Sequence, residues 1–195
     1  MTKLSKGTSL LTATGIGLAL TTLSIGLTLN LTPASAKTQK MSDDSKIVAQ
    51  KVSLNQAEIL TAHNQYRQEV KVSAIKWSSS LAASAQQWAN NLASTRSFQH
   101  SKSQGKYGEN IWRGTSGAYS QTKMVDSWGS EKQYFIANQA FPNTCKGGWQ
   151  KCGHYTQIIW KNTTEVGCGI ASGGGNDYFV CQYNPPGNYQ GQKPY

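Results

Sequence analysis

Apolar and polar positions along the chain divide it into three stretches with different rhythms. From about Leu10 to Leu31 the sequence is largely apolar, broken by Thr, Ser and Gly and, near its end, by Asn30. Lys3 and Lys6 precede this stretch, and Ala34-Ser35-Ala36 follows it. A positive start, an apolar run and a small-x-small site predict a secretion signal over residues 1–36, cleaved near Ala36. The run is also long enough to span a bilayer, but the Ala-Ser-Ala pattern favours cleavage. Residues 37–52 are polar, with Asp43-Asp44, Lys46 and Lys51, and read as a short flexible lead-in. Residues 53–195 then have the length of one domain with its own core.

Within that domain helical spacing comes first. Ser53-x-x-Gln56 predicts a capping box that opens a helix running to about Arg67. Leu81, Ala85, Trp88 and Leu92 recur at helical spacing behind the Ser78-Ser79-Ser80 cap region, which predicts a second helix. Residues 94–110 read as a loop with Gly105 and Gly108. A third helix is expected over about 118–132, with Met124, Trp128 and Glu131 along one side. A long loop over 137–153 follows. Strands are expected at about 154–160, 166–171 and 178–183. The tail from 184 onward carries Pro185-Pro186, Gly187, Gly191 and Pro194, and is irregular. Helices first and strands last indicate an α+β domain in which helices cover an antiparallel sheet.

The four cysteines, Cys145, Cys152, Cys168 and Cys181, all lie in the strand-rich part. An even number in an exported chain predicts two disulfides. Gly173-Gly174-Gly175 with Asn176-Asp177 is a turn signal between strand-like runs. A hairpin folded about the Gly174–Gly175 link sets Cys168 opposite Cys181, at a Cα separation of about 4.5–5.5 Å. That distance accepts a disulfide. Cys145 then pairs with Cys152 and closes a small ring that contains Trp149. The rival reading is a four-thiolate metal site, which lacks any Cys-x-x-Cys pair.

The formal charge is +10. Removal of Lys3 and Lys6 with the signal leaves a net charge of about +8. An exported basic domain suits anionic cell-wall or membrane surfaces and acidic glycans, although solubility alone accounts for such a charge equally well. No Lys/Arg cluster or recognised motif points to nucleic acid.

Candidate chemistry centres on four residues. His154 sits two positions after Cys152, Glu131 three after Trp128, Glu109 between Gly108 and Asn110, and His100 at the far end of the same loop as Glu109. Two imidazoles and two carboxylates suit a divalent-cation site. Glu109 and Glu131 also suit general acid–base catalysis. A buried hydrogen-bond network that fixes loops and sheet accounts for them as well, since no local ligand motif is present. His63, in His63-Asn64-x-x-Arg67, reads as a packing or hydrogen-bonding residue of the first helix. Asn162-Thr163-Thr164 fits the N-glycosylation pattern, which matters only in a eukaryotic secretory path.

Four motifs in order carry a family resemblance. They are His63-Asn64-x-x-Arg67, Gly108-Glu109-Asn110, the segment from Gly153 through His154, Tyr155 and Gln157 to Thr163, and Phe179 to Tyr189. From about Leu54 to Tyr195 the chain resembles the CAP superfamily of cysteine-rich secretory proteins, antigen 5 and pathogenesis-related class 1 proteins. Its ending is most like the plant class 1 branch. The resemblance implies an α-β-α sandwich with an antiparallel sheet between helical layers. It also implies a cleft lined by His100, Glu109, Glu131 and His154, with zinc or another divalent cation bound at the histidines in some members. Plant-type members carry a third disulfide; here its positions, near Thr95 and Gly173, lack both cysteines. The loop that holds His100 is therefore expected to be less firmly tied.

Three functions compete on this reading. One is a secreted, monomeric binding module for a sterol or other lipid, with a divalent cation at His100 and His154. Another is a metal-assisted hydrolase or protease with Glu109 or Glu131 as base, weakened by the lack of a nucleophile or oxyanion motif. The third is an extracellular protein ligand that acts through its surface loops.

Overall fold

The computed structural model describes residues 53–102 and 105–195. The export signal and the lead-in predicted for residues 1–52 lie outside the described residues.

The elements run α1 (Gln56–Glu69), β1 (Lys76–Trp77), α2 (Ser79–Thr95), β2 (Gly108–Thr115), α3 (Gln121–Gly129), α4 (Gly153–Ile158), β3 (Glu165–Gly173) and β4 (Asn176–Asn184). A 3-10 turn at Ser130–Tyr134 prolongs α3, and another at Trp149–Lys151 precedes α4. The sheet order is β1-β3-β4-β2. β2, β4 and β3 pair antiparallel, while the two-residue β1 adds a parallel pairing at the edge. The sheet is therefore mixed, not wholly antiparallel.

Both faces of the sheet are covered, as the side chains of β4 record. Phe179, Cys181 and Tyr183 join a core with Ile59 of α1, Met124 and Trp128 of α3 and Ile158 of α4. Tyr178 and Val180 point the other way, into a second core with Ala85, Ala89 and Leu92 of α2. Alternate residues of one strand thus serve two helical layers, which makes the domain an α-β-α sandwich.

Helix α2 lies unusually close to the sheet, because β3 presents glycine to it. A Cβ at Gly167 would sit 2.2 Å from the Ala82 backbone nitrogen, and one at Gly169 2.3 Å from the Gln86 backbone. The gap admits the helix backbone only where the strand has no side chain. Gln86 then closes the contact by donating to the Ile170 carbonyl at 2.8 Å and accepting from its amide at 3.1 Å.

The hairpin forms as the turn signal predicts. Gly174 and Gly175 take φ of 59° and 79°, the paired left-handed geometry of a two-residue turn. Cys168 stands opposite Cys181 in the register and is bonded to it, with Cα atoms 4.1 Å apart. Cys145 is bonded to Cys152. Among the described residues no cysteine is free.

Several sequence expectations require correction. The N-cap of α1 is Asn55, whose side chain accepts from the Glu58 amide at 3.1 Å, rather than Ser53. Helix α3 ends at Gly129 and not near 132, so Glu131 stands on the 3-10 turn beyond it. The loop assigned to 94–110 ends earlier, because β2 begins at Gly108. The strand expected at 154–160 is helix α4. Residues 155–160 are buried on every side, so no period marks them as helix or strand. A six-residue helix is unstable alone and owes its form to partners at both ends. Glu131 accepts the amides of His154 and Tyr155 at its start, while Arg67 binds the Ile158 and Trp160 carbonyls at its finish.

Two stability outcomes follow. Gly169→Val should destabilise the fold by about 3 kcal/mol, read from urea unfolding, because the added atoms meet backbone that cannot turn away. His63 is fully buried, and this burial lowers its pKa from 6.5 to about 4, outweighing the bond to the Ile59 carbonyl. Below pH 6.5 the unfolded chain takes up this proton while the folded protein does not. Its share of stability should fall by about 3 kcal/mol as pH drops from 6.5 to 4. The pH slope of the urea midpoint in this window should shrink in His63→Phe.

Candidate functional site

Helix α4 brings His154 to the surface at one rim of a small pocket, and β2 brings Glu109 to the other. The pocket encloses about 70 Å³, and His100, Glu109, Asn110, Trp149, His154 and Asn188 are among its lining residues. His100, Glu109 and His154, distant in sequence, therefore meet. Glu131 is bonded to His154 but is not among the residues that line the pocket.

Each imidazole is held from behind by one carboxylate. Glu131 Oε1 lies 2.7 Å from His154 Nδ1, and its Oε2 accepts the His154 amide at 3.0 Å. Glu109 Oε1 lies 2.9 Å from His100 Nδ1 and accepts the Ser101 amide at 2.8 Å. Glu109 Oε2 accepts from Ser101 Oγ at 2.5 Å and from Gln182 Nε2 at 3.2 Å. Burial pushes the Glu109 carboxyl up, but the hydrogen bonds from His100, Ser101 and Gln182 together outweigh it and hold it below the ordinary glutamate value. Two carboxylates that accept at Nδ1 favour the Nδ1–H tautomer in both rings. No partner among the described residues engages either Nε2, so each keeps a lone pair for a ligand.

The two histidines are not equally fixed. His154 stacks on Trp128 at 6.1 Å between ring centres, and Trp128 stacks on Phe179 at 5.4 Å. The His100 side chain is 55% exposed against 33% for His154. The loop that carries His100 is held at this point through Ser101 and Glu109, consistent with its lack of a disulfide.

Behind the pocket runs a buried chain of polar groups that the sequence did not reveal as connected. Asn110 Nδ2 donates to the His154 carbonyl at 3.1 Å and to Tyr183 Oη at 3.2 Å. Tyr183 Oη lies 2.9 Å from His63 Nε2, and His63 Nδ1 lies 2.8 Å from the Ile59 carbonyl. This orders the donors: Nδ1–H of His63 serves the carbonyl, and Tyr183 donates to Nε2. Burial drives the Tyr183 phenol far above its usual range, so it stays protonated. The remaining motif residues act structurally. Asn64 pairs with both backbone groups of Ile75, and Gln157 accepts the Gly187 amide at 2.9 Å.

Among the described residues, no group of three or more His, Cys, Asp or Glu side chains is arranged to hold a metal ion. The donor set at the pocket consists of two imidazole nitrogens. A closed structural site needs four ligands and a catalytic zinc takes three from protein, so a cation here would draw its other ligands from water or a bound molecule.

A second cleft adjoins the pocket. Phe141, Pro142, Trp149, Asn188 and Gln190 line about 420 Å³, and Trp149 and Asn188 belong to both spaces. Nothing in the sequence pattern marks this cleft, since Phe141 and Pro142 stand in a loop outside the motifs and only the fold brings them to Asn188.

Comparison with known proteins places these features in a family. Residues 60–183 match the profile of the CAP, or cysteine-rich secretory protein, family. The chain is 42% identical over 142 residues to pathogenesis-related protein 1A of Nicotiana tabacum, covering 72% of this chain and 81% of that protein. It is 38% identical over 150 residues to pathogenesis-related protein 1 of Arabidopsis thaliana, covering 76% and 88%. Among solved structures, BmVAL-1 aligns with a TM-score of 0.60 at 26% identity over 73% of this chain and 83% of that one. Venom allergen-like protein 4 of Schistosoma mansoni aligns with a TM-score of 0.58 at 23% identity, over 74% and 95%, and shares the fold.

Removing the Glu131 carboxylate tests its hold on α4. Glu131→Ala deletes three hydrogen bonds to a charged acceptor and should cost about 2–3 kcal/mol in urea unfolding. Long-range ¹H–¹⁵N spectra at neutral pH should show the His154 ring change from a single Nδ1–H tautomer to a mixture.

Proposed function

Because the chain belongs to the CAP family of cysteine-rich secretory proteins and is similar to plant pathogenesis-related class 1 proteins, we propose that it is an exported, defence-type binding module. It takes a sterol or other lipid in the cleft of Phe141, Pro142 and Trp149. It also takes a divalent cation, zinc or another, between Nε2 of His100 and Nε2 of His154. The observation that carries this reading is the continuity of the two spaces through Trp149 and Asn188. A ligand with a polar end and an apolar body fits an imidazole-lined pocket that opens into an apolar cleft.

Export fits the two disulfides, which persist in oxidising compartments, and fits residues 1–36 as a signal. The net positive charge supports attraction to an anionic cell wall or membrane surface. The chain acts as a monomer in this reading.

The residues of this chain would do two things for a bound cation. His100 and His154 would present Nε2 lone pairs. Glu109 and Glu131 would hold the rings and strengthen their basicity through Nδ1. The cation would supply positive charge for the polar end of a ligand.

A metal-assisted hydrolase is the second reading, and the His154–Glu131 pair favours it. A ring held at Nδ1 by a carboxylate and open at Nε2 has the arrangement of a general base. Against it, a cation on His154 Nε2 would occupy the atom that a base needs, and of the two carboxylates only Glu109 lines the pocket, with both oxygens already accepting hydrogen bonds.

Zinc calorimetry on the wild type, His100→Ala and His154→Ala tests the cation. The expected result is saturable binding in the wild type and at least tenfold weaker binding in each variant. Equal heats in all three would remove the metal from this account. Uptake of a fluorescent sterol or fatty acid should be saturable and should fall at least tenfold in Phe141→Asp. Failure of every lipid to bind would remove the lipid.

A further inference from the structure

On the far side of Glu109 from His100 lies a separate polar hollow, and its floor carries an unsatisfied group. Gln182 is 2% exposed. Its Nε2 donates to Glu109 Oε2, an orientation fixed by the carboxylate, since an amide oxygen there would oppose it. Its Oε1 is left buried with no hydrogen-bond partner, the one such side-chain atom among the described residues. Leaving a buried acceptor bare costs about 1–3 kcal/mol, so the floor favours any donor that reaches it.

The hollow above Gln182 encloses about 400 Å³. One wall is a single stripe of α2: Ser84, Gln87, Trp88 and Asn91, at spacings that place them on one helical face. The Ser84 hydroxyl and the Gln87 and Asn91 amides are committed to no partner among the described residues. Opposite stand Ser101, Lys102, Lys106 and Tyr107. Lys102 and Lys106 line the hollow, Lys106 with its ammonium 5.0 Å from the Tyr107 ring centre, and the one adjoining carboxylate, Glu109, is already engaged by Ser101 and Gln182. Trp88 is half-buried and tied down by its indole N–H to the Gln99 carbonyl at 3.1 Å, which fixes the ring.

Chemistry selects the ligand class. Uncommitted amides and hydroxyls pair with hydroxyl groups, and an anchored indole offers a face to a sugar ring. Two ammonium groups call for negative charge. A buried acceptor calls for an O–H donor. We propose that this hollow is a binding site for an acidic sugar, a hexuronate within a glycan chain, whose hydroxyl satisfies Gln182 and whose carboxylate meets Lys102 and Lys106. The site is distinct from the imidazole-lined pocket and does not depend on the reading of that pocket. Glu109 is the wall between them and accepts hydrogen bonds from both sides.

The test uses the full domain with oligogalacturonate as probe, the neutral galactose oligomer as control, and ¹H–¹⁵N chemical-shift mapping beside calorimetry. The account expects saturable oligogalacturonate binding, weakened by added salt, with shifts concentrated at residues 84–91, 101, 102, 106, 107 and 182. Lys102→Gln/Lys106→Gln should weaken binding at least tenfold, and Gln87→Ala/Asn91→Ala severalfold. All four are exposed positions, so these variants should stay folded. Gln182→Met should weaken binding too, provided its spectrum remains native. The proposal is overturned if the neutral oligomer binds equally well, or if the lysine variant binds like the wild type. It is also overturned if the shifts map to residues 149–154, or if a crystal soaked in the oligomer shows only an ordered water on Gln182 Oε1.

Discussion

A buried guanidinium with no acid beside it among the described residues organises this domain. Arg67, 1% exposed, gives its N–H groups to four backbone carbonyls: Ser73, Ile158, Trp160 and Thr163, at 2.7 to 2.9 Å. Removing such a charge from water is costly, and only full hydrogen bonding offsets it. Burial pulls the group down to about 10, which leaves it charged at neutral pH. Three of these carbonyls, those of Ile158, Trp160 and Thr163, belong to the end of α4 and the turn after it, where a helix presents unpaired acceptors and partial negative charge. One side chain from α1 thus terminates α4 and fixes the path into β3. Glu131 does the opposite task at the start of α4. A helix too short to form alone is held between a cation and an anion, each at the end that its charge suits.

His154 inherits its position from that clamp. The Cys145–Cys152 bridge ends just before α4, and Asn188 spans from the tail to the Gly153 carbonyl and Thr156. Across the sheet, Asn110, Tyr183 and His63 connect the backbone of His154 to α1 through hydrogen bonds that admit one order of donors. The second imidazole is held differently. His100 depends on a loop whose described anchor here is Glu109. One ring is therefore packed on the core and the other more exposed to solvent.

How much of this the sequence disclosed varies by element. The hairpin was legible because glycine at two adjacent positions dictates the turn, and the turn dictates which cysteines face one another. Helix α2 was legible from Leu81, Ala85 and Leu92, a one-sided apolar stripe. Helix α4 was not, because its residues are buried all round and its stabilising partners lie 23 residues before it in Glu131 and 91 before Ile158 in Arg67. The glycines of β3 gave a signal that periodicity alone discards: Gly167 and Gly169 alternate with buried Val166 and Cys168, and this marks one face of a strand pressed against backbone. Glu109 and His154 were nameable from the motifs, and His100 and Glu131 from the family resemblance that the motifs carry. That the carboxylates brace the rings at Nδ1, and that Glu131 stays behind the pocket, required their distances. The unsatisfied Gln182 was beyond reach, since its neighbours come from β2, α2 and the loop between them.

The same construction explains why a conservative scaffold can present two kinds of surface. The sandwich and its two disulfides fix the sheet, and the connections around it carry the imidazole-lined pocket, the apolar cleft and the lysine-rimmed hollow. The imidazole-lined pocket in particular depends on α4 and β2 keeping their places, since His154 comes from one and Glu109 and Asn110 from the other. Hydrogen exchange on Arg67→Met, compared with the wild type, tests that dependence most directly. The account predicts that amides of residues 153–160 lose protection by at least a hundredfold while those of β3 and β4 near the Cys168–Cys181 bridge keep theirs. Retained protection across α4 in that variant would contradict it.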